Sequence, residues 1–419
     1  MKKILILSGC AQMCEIVIRA KEMGLYTIVT DYLKDSPAKK LADESLMYSI
    51  DDVKGIVNYC MENNVDGVMN YCIDPGQKPY QQICEQLGLP CVGTAEQFNI
   101  MTNKDIFKET CEKYALSVIK SFQLTDINSE DQIKKIEFPV IVKPVDSRAS
   151  KGITLCRTKE DLPNALQEAY KYSKRKKVVV EKYMEAPEIC AKYVICDGEP
   201  YLTSMADVYT YYFSPGERAY IWSQTYPSKY YKLFESATDS KIRNMLKGIG
   251  IENGVVSFTG FVDGETFRFF DPSFRMGGAQ DWRIVANISG IDISDLLTNF
   301  AITGKMGKKD VISKIDKSFT KKASALLYFL VRLGKIGSIK GVEEALKVDG
   351  VIGYHTPHKV GDVIAKKGTV EHVAIRFLLV CKDKVELKRS IRQIQNIIEI
   401  EDEQGCNMLL PNFNVDLID

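Results

Sequence analysis

The chain has 419 residues, of which 45% are apolar, and its formal net charge is +1. This length permits two or three domains with cores of their own, and the near-neutral charge excludes a general attraction to nucleic acid or to membrane surfaces. No apolar run reaches membrane-spanning length and the apolar start of the chain is too short for a signal peptide, so we expect a cytoplasmic protein.

Residues 1–93 alternate between strand and helix patterns. Lys3 to Leu7 predicts a strand, Ser8-Gly9-Cys10 a turn and Met13 to Met23 an amphipathic helix. Further strands are expected at 26–30, 45–50, 66–70 and 90–92, with helices at 53–63 and 79–87. This alternation predicts a parallel sheet with helices on both faces. The first turn has one glycine where a dinucleotide fingerprint requires GxGxxG, so NAD(P) binding is only weakly supported.

The segment FPVIVKPVDSRASKGI, residues 138–153, predicts a β-hairpin with a loop suited to phosphate. A β-branched run ends at Lys143, and strand character returns at Ile153 after Gly152. The loop carries small residues, hydroxyls and two cations, which favour the approach of phosphate oxygens to backbone N–H groups. Because no Walker-type GxxxxGK[ST] is present, a solvated hairpin tip is the alternative interpretation.

Two acidic segments follow. An apolar strand at 178–180 leads into Glu181-Lys182-Tyr183-Met184, with Glu188 shortly after it. A second hairpin, at 255–262 and 266–270, leads directly into Asp271-Pro272-Ser273-Phe274-Arg275-Met276-Gly277-Gly278. Between them, the tyrosines from Tyr209 to Tyr231 favour either a stacked substrate or a partly buried loop.

The other reactive residue types give weaker signals. The twelve cysteines include no CxxC pair, so we expect buried, reduced thiols, with neither disulfides nor a zinc site. The three histidines, His355, His358 and His372, come late in the chain and favour a loop or surface role. Chemistry is therefore expected from carboxylates, lysines, arginines and a bound metal.

The order of these features resembles the ATP-grasp superfamily, in its carboxylate-amine ligase branch, which includes phosphoribosylglycinamide synthetase, biotin carboxylase and carbamoyl phosphate synthetase. The resemblance covers roughly residues 1–295. It implies a mixed α/β and α+β fold: an N-terminal Rossmann-like parallel sheet domain at 1–95, an ATP-grasp domain at 96–300 with a lid subdomain at about 117–182, and a small C-terminal α+β domain at 301–419.

The resemblance also implies how ATP is held. Lysines would bind its phosphates, the loop at 147–152 would close over them, the backbone of 181–184 would contact the adenine edge, and Glu188 would accept hydrogen bonds from the ribose hydroxyls. The implied ATP-binding residues are Lys104, Lys143, Ser147, Arg148, Ala149, Ser150, Gly152, Glu181, Lys182, Met184 and Glu188.

The segment after the second hairpin matches the catalytic end of the family pattern. Asp271 and Ser273 match the magnesium ligands, and Arg275 matches the arginine that holds the transferred phosphate. The implied catalytic residues are therefore Arg275 and Lys143. The alternative for Arg275 is a structural ion pair with Asp271 or Asp281.

This chain departs from the family on the strand before Asp271, where a second acid usually stands. The strand offers Ser257 and Thr259, and no carboxylate occurs until Asp263 in the turn. A single carboxylate leaves more of the metal's coordination to water and nucleotide. Tight binding of two metal ions, and activity itself, are therefore in question.

The implied function is an ATP-dependent ligase that joins a carboxylate to an amine or related nucleophile through an acyl phosphate, releasing ADP and phosphate. The implied cofactors are ATP and Mg²⁺ (or Mn²⁺). The expected partners are small-molecule carboxylate and amine substrates, with a homodimer as the assembly considered and neither nucleic acid nor membrane. Two alternatives stay open: a nucleotide-binding ATP-grasp protein with weak or lost catalysis, and an NAD(P)-binding oxidoreductase.

Overall fold

The computed structural model describes residues 1–124, 129–145, 152–173, 175–214, 217–307, 314 and 319–419. Its first part contains the strands β1 Lys3–Leu7, β2 Tyr26–Thr30, β3 Glu44–Leu46 and β4 Gly67–Met69, and the helices α1 Cys14–Glu22, α2 Val53–Asn63 and α3 Gln77–Leu87. The four strands form one parallel sheet in the order β3-β2-β1-β4.

The predicted parallel sheet is therefore confirmed. From Ile4 to Leu7 strand β1 is fully buried, because helices cover both faces of such a sheet. The expected strand at 90–92 is wrong: this segment connects two helices, and the Val92 N–H donates to the Tyr80 hydroxyl at 3.3 Å instead of to a neighbouring strand.

Two helices, α4 Ala95–Thr102 and α5 Lys104–Lys113, lead into a small antiparallel sheet, here called the lid sheet. Its strands are β5 Ser121–Phe122, β6 Val140–Pro144, β7 Thr154–Cys156 and β8 Val178–Lys182, accompanied by helices α6 Glu130–Ile133 and α7 Leu162–Tyr172. The strand order is β5-β8-β6-β7. Strands β6 and β7 pair directly, which confirms the hairpin predicted at 138–153.

The next strands begin a large antiparallel sheet. They are β9 Glu188–Cys196, β10 Glu199–Ser214, β11 Glu217–Tyr226, β12 Gly254–Asp263 and β13 Thr266–Ser273, with helices α8 Tyr231–Ala237, α9 Asp239–Gly248, α10 Trp282–Ser289 and α11 Ile293–Thr303. The turn between β9 and β10 has positive φ at Asp197 (48°) and Gly198 (74°), as a two-residue hairpin turn requires.

The remaining elements are β14 Ala323–Leu330, β15 Gly334–Lys340, α12 Val342–Ala345, β16 Val351–His355, β17 Val363–Ile364, β18 Val373–Cys381, α13 Lys384–Ile397 and β19 Glu399–Asp402. Three of these strands extend the large sheet, whose order is β13-β12-β9-β10-β11-β14-β18-β16, and β17-β15-β19 form a small sheet of their own. The large sheet therefore continues past residue 300. The domain boundaries given above stay predictions.

The twelve cysteines are all free thiols, and eight of them are buried. The surface role expected for the histidines is wrong for His372, which is fully buried and has its ring Nδ1 2.7 Å from the Val331 carbonyl oxygen. Among the described residues, no helix is both long and apolar enough to span a bilayer.

Candidate active site

The hairpin of β12 and β13 presents the predicted metal-binding residues on one face of the large sheet. Ser257 lies opposite Ser273, and Thr259 lies opposite Asp271. Phe258 between them is fully buried in the core, because successive side chains of a strand point to opposite faces. The four polar side chains therefore share the other face, and Asp271 is the one carboxylate among them.

Lys104 lies next to Asp271. It is the first residue of α5, a helix capped by the Asn103 side chain, which accepts a hydrogen bond from the Asp105 N–H at 3.2 Å. The Lys104 Nζ is 3.8 Å from the Asp271 Oδ1. The structure thus brings together a lysine predicted to hold phosphate and an acid predicted to hold magnesium, although they are far apart in sequence.

Lys143 belongs to a buried ion cluster with Glu181 and Lys108. Each lysine contacts one oxygen of the Glu181 carboxylate, and Lys108 also donates to the Ser121 Oγ at 2.6 Å. Burial would raise the pKa of Glu181, but the ammonium groups of Lys143 and Lys108 lower it overall. Two cations facing one carboxylate leave one positive charge in excess, on the lid sheet.

Arg275 makes an ion pair with Asp74, which is not one of the partners considered in the sequence analysis. Its Nε lies 2.5 Å from Asp74 Oδ1, its second terminal nitrogen lies 2.9 Å from Asp74 Oδ2, and its first donates to the Met276 carbonyl at 2.7 Å. The alternative partners considered above, Asp271 and Asp281, are therefore wrong. Arg275 is held at the end of the β12–β13 hairpin by an acid that follows β4.

Strand β9 extends the polar face of the hairpin. Its residues Glu188, Cys190 and Lys192 lie opposite Phe261, Thr259 and Ser257 of β12. The Lys192 Nζ is 2.5 Å from Asp281 Oδ1, and both side chains are largely buried. Glu188 is 8% exposed and accepts a 3.4 Å hydrogen bond from the Thr210 hydroxyl.

The predicted adenine-contacting segment, residues 181–184, begins on strand β8 of the lid sheet and continues past the end of that strand. The N–H groups of Lys182 and Tyr183 donate to the carbonyls of Lys120 and Pro139, and the Lys182 ammonium lies 3.1 Å from the Glu137 carbonyl oxygen. Tyr183 and Met184 lie beyond the end of strand β8, and Met184 is half-buried.

Gly152 has φ of +71°, and a Cβ there would lie 3.0 Å from Pro144 Cγ. A glycine is therefore favoured at this end of the predicted phosphate loop. The other loop residues assigned to ATP, Ser147, Arg148, Ala149 and Ser150, lie outside the described residues.

Comparisons with known proteins show which families and structures this chain is similar to. A family model described as D-ala D-ala ligase C-terminus matches residues 110–235. A formate-dependent phosphoribosylglycinamide formyltransferase of Prochlorococcus marinus (strain MIT 9515) is 29% identical over 187 residues, which are 44% of this chain and 48% of that protein. The match thus spans about half of the curated relative.

Two solved structures match most of the chain. An L-amino acid ligase from Bacillus licheniformis has a TM-score of 0.80 at 16% identity, covering 96% of this chain and 99% of that one. The biotin carboxylase domain of the Hydrogenobacter thermophilus 2-oxoglutarate carboxylase, a dimer with MgADP and bicarbonate, has a TM-score of 0.74 at 17% identity and covers 96% and 90%.

These matches confirm the predicted resemblance to the ATP-grasp superfamily. The predicted fold class is confirmed as well, because the parallel N-terminal sheet and the large antiparallel sheet match these ATP-grasp structures. The roles of individual site residues stay predictions.

The sequence analysis missed several charged residues of this candidate site. Lys108 follows Lys104 by one helical turn, so the i, i+4 spacing could have revealed it. Lys192 follows Glu188 at strand spacing on the same face of β9, a signal that becomes visible only when the strand is known to begin at Glu188. No local signal indicates Asp74, since its pairing with Arg275 depends on the tertiary fold.

The residues present fit one magnesium ion at the candidate site. The Ser273 Oγ is buried and has no hydrogen-bond partner, and the nearby Asp271 carboxylate is 58% exposed. Within the described ranges, no group of three or more acidic, histidine or cysteine side chains could hold a metal by itself. A hard cation at this position would therefore take its other oxygen ligands from water and nucleotide phosphates.

Proposed function

We propose that this protein is an ATP-dependent ligase that joins a small-molecule carboxylate to an amine or related nucleophile. The observation that carries the proposal is the 3.8 Å approach of Lys104 Nζ to Asp271, on the face that Asp271 shares with Ser273. A phosphate-binding cation beside a magnesium-binding acid is the arrangement that phosphoryl transfer from a nucleotide requires.

In the first step a carboxylate oxygen attacks the γ-phosphorus of ATP. The bond between that phosphorus and the β–γ bridging oxygen breaks, giving an acyl phosphate and ADP. In the second step the nucleophile attacks the acyl carbon, the carbon–oxygen bond to phosphate breaks, and the amine loses a proton. The acyl phosphate hydrolyses in water, so the lid sheet has to exclude solvent.

The residues of this chain act mainly by position and charge. Lys104 and Lys143 bind phosphate oxygens, Glu188 accepts from the ribose hydroxyls, and Met184 supplies backbone contacts to adenine. Asp271 and Ser273 would hold Mg²⁺ (or Mn²⁺), which supplies neutralisation of phosphate charge when bound. Such catalysis requires no histidine at the site.

Arg275 stabilises charge on the transferred phosphoryl group. Its guanidinium has five N–H donors in a planar fork, and the contacts to Asp74 and Met276 use three of its nitrogens. Each terminal nitrogen carries a second N–H, so a phosphate oxygen can bind without loss of the ion pair.

The test is ATP hydrolysis by the purified protein against a panel of amino acids, dipeptides and purine intermediates, with Mg²⁺ present. The expected result is release of ADP and phosphate that depends on one carboxylate and one nucleophile from the panel, together with their condensed product. Release of ADP and phosphate at the same low rate with every compound would contradict the ligase assignment.

The second candidate is a nucleotide-binding ATP-grasp protein with weakened catalysis. The observation that favours it is the pairing of Thr259 with Asp271 and of Ser257 with Ser273, because β12 then places no acid opposite either predicted metal ligand. This candidate predicts that ATP raises the melting temperature of the protein, while no candidate substrate increases the release of ADP and phosphate. A homodimer stays a prediction in either case.

A further inference from the structure

A second group of cationic residues, beyond those assigned to ATP, lies where helix α10 meets strands β16 and β18 of the large sheet. Arg376, on strand β18, is 6% exposed. One of its terminal nitrogens donates to the Gly278 carbonyl at 3.3 Å, and its guanidinium lies over the Tyr328 ring, 5.7 Å from the centroid. Its buried Nε has no hydrogen-bond partner.

Arg283 and His355 lie next to Arg376. His355 of β16 is directly opposite Arg376 of β18, and its buried Nε2 has no partner. A Cβ on Gly353 would lie 2.6 Å from a terminal nitrogen of Arg283, so glycine at this position lets the guanidinium lie against the strand. Burial, followed by the charges of Arg376 and Arg283, lowers the pKa of His355 to about 4.

This group has no acidic counterpart. Across the part of the chain that the structure describes, no carboxylate oxygen lies within 4.0 Å of either guanidinium of the group, whereas Arg275 pairs with Asp74. The nearby Asp281 is already paired with Lys192. An unpaired charge is costly to bury, so the buried Arg376 guanidinium, with the half-buried Arg283 and a neutral imidazole beside it, indicates a place built to receive an anion.

The group also lies close to the reacting face. Gly278, which accepts the hydrogen bond from Arg376, is three residues after Arg275 and five after Ser273. Asp281, three residues after Gly278, pairs with Lys192 of β9, a strand whose residues lie opposite Ser257 and Thr259 of the reacting face.

We propose that Arg376, Arg283 and His355 bind an anionic group, a carboxylate or a phosphate, on one of the two substrates of the ligase. The proposal rests on the proposed function, because that function makes the bound molecule a substrate. Binding of the anion itself does not require turnover. Two guanidinium forks bind the oxygens of such a group with paired hydrogen bonds, and the neutral imidazole adds one donor. The ligase thus selects a substrate that carries an anion in addition to its reacting group.

The test is calorimetric titration of the full-length protein with inorganic phosphate, acetate and succinate, each with and without saturating Mg²⁺ and a non-hydrolysable ATP analogue. The wild type is expected to bind at least one of these anions at one site while the analogue is bound. Tighter phosphate binding indicates a phosphorylated substrate, and tighter acetate or succinate binding indicates a carboxylate substrate.

Arg376→Gln and Arg283→Gln are each expected to weaken this binding at least tenfold, since each removes charge-assisted hydrogen bonds. Arg376→Lys, which keeps the charge but loses the fork, should fall between Arg376→Gln and the wild type. Arg392→Gln, in an exposed pair with Asp416 on α13, is the matched control and should bind as the wild type does. Circular dichroism and unchanged affinity for the analogue, within twofold, establish that each variant is folded.

Three results would overturn the proposal: no saturable anion binding by the wild type, equal binding by the wild type and both glutamine variants, or binding that the nucleotide analogue abolishes. None of them depends on catalysis. Failure of the proposed ligase activity would appear instead in the ATP-hydrolysis panel and would leave the anion titrations unchanged.

Discussion

Lys143 and Lys108 contact the same carboxylate but differ in what they can offer a nucleotide. Lys108 has three partners: Glu181, the Ser121 hydroxyl and the Ile119 carbonyl. For Lys143 the described contact is Glu181, and an ammonium group has three donors. Lys143 therefore has the donors to bind phosphate, while Lys108 and Glu181 hold it in position.

Lys143→Ala should remove most of the rise in melting temperature that ATP and Mg²⁺ produce in the wild-type protein. The reason is the loss of a charge-assisted contact to phosphate. Differential scanning fluorimetry with and without nucleotide measures the effect. Lys120→Ala, which removes an exposed lysine paired with Glu137, is the control and should keep the full rise. A full nucleotide-induced rise in Lys143→Ala would remove Lys143 from the phosphate site.

The folded protein should lose stability in mild acid because of His355. Its pKa is lowered to about 4 in the fold, compared with about 6.5 in an unfolded chain. Between these values the unfolded chain takes up a proton that the folded chain does not, so the free energy of unfolding falls as the pH drops from 6.5 towards 4. From pH 7 to pH 4.5 we expect His355 to account for a loss of about 2 kcal/mol.

Urea unfolding at pH 7 and pH 4.5 checks this value. The protein as a whole also loses stability from its carboxylates at low pH, so the informative quantity is the difference between the wild type and His355→Gln. The variant should lose less stability by that amount. An identical loss in both proteins would show that the imidazole is protonated equally easily in the folded and unfolded states.

At the level of elements, the β12–β13 hairpin shows what local sequence can and cannot reveal. The alternation around Phe258 and the Asp263-Gly264 turn predict both strands and their pairing. The same pattern gives no indication that Lys192 lies opposite Ser257, because the tertiary fold determines that β9 is the second neighbour of β12. The predictable part of the site is therefore the chemistry of each segment, and the unpredictable part is which segments meet.

The register of this hairpin allows a second carboxylate to be introduced. Thr259 lies opposite Asp271 on the same face, so Thr259→Glu places an additional acid beside the predicted metal ligands. We expect the Mg²⁺ concentration for half-maximal ATP protection to fall several-fold, because Mg²⁺ prefers carboxylate oxygens. Thr266→Glu, at the turn end of the hairpin opposite Asp263, is the control. An unchanged Mg²⁺ requirement in Thr259→Glu would show that the ion binds elsewhere.

At the scale of the whole molecule, charged contacts join the N-terminal sheet region to the later segments. Asp74 pairs with Arg275, and the Arg19 Nε donates to Asp295 at 3.0 Å. The first contact lies at the candidate active site, whereas the second joins α1 to α11, outside it. The N-terminal sheet therefore helps to set the position of an arginine predicted to be catalytic.

Asp74→Asn should show whether the Asp74 carboxylate competes with phosphate for the Arg275 donors in addition to holding Arg275 in place. Without its carboxylate partner the Arg275 guanidinium gains donors for phosphate, so we expect a lower melting temperature without ligand but a larger nucleotide-induced rise. Asp295→Asn removes the other contact and should lower the melting temperature without enlarging that rise. Scanning fluorimetry with and without ATP and Mg²⁺ measures both. A smaller nucleotide-induced rise in Asp74→Asn would show that Asp74 helps Arg275 to bind phosphate.

The strand order of the large sheet lies beyond local prediction. The alternating strands and helices of residues 3–69 indicate a parallel sheet because each connection is short and repeats. In the large sheet, β9 lies between β12 and β10, and β14 joins β11 although nearly a hundred residues separate them. Such pairings depend on burial of distant apolar segments, which no sequence window contains.

The β11–β14 pairing also limits how this protein can be recombined with its relatives. Four residue pairs, from Ser223 opposite Leu327 to Tyr226 opposite Ser324, join the strands. This pairing connects the predicted nucleotide-binding half of the chain to the C-terminal segment that contains Arg376. A chimera cut near residue 300 would have to rebuild a hydrogen-bonded ladder with a foreign strand, and a mismatch would expose an unpaired sheet edge that favours aggregation. The proposed anion site is therefore better altered one side chain at a time, on β16 and β18, than by transplanting the C-terminal segment whole.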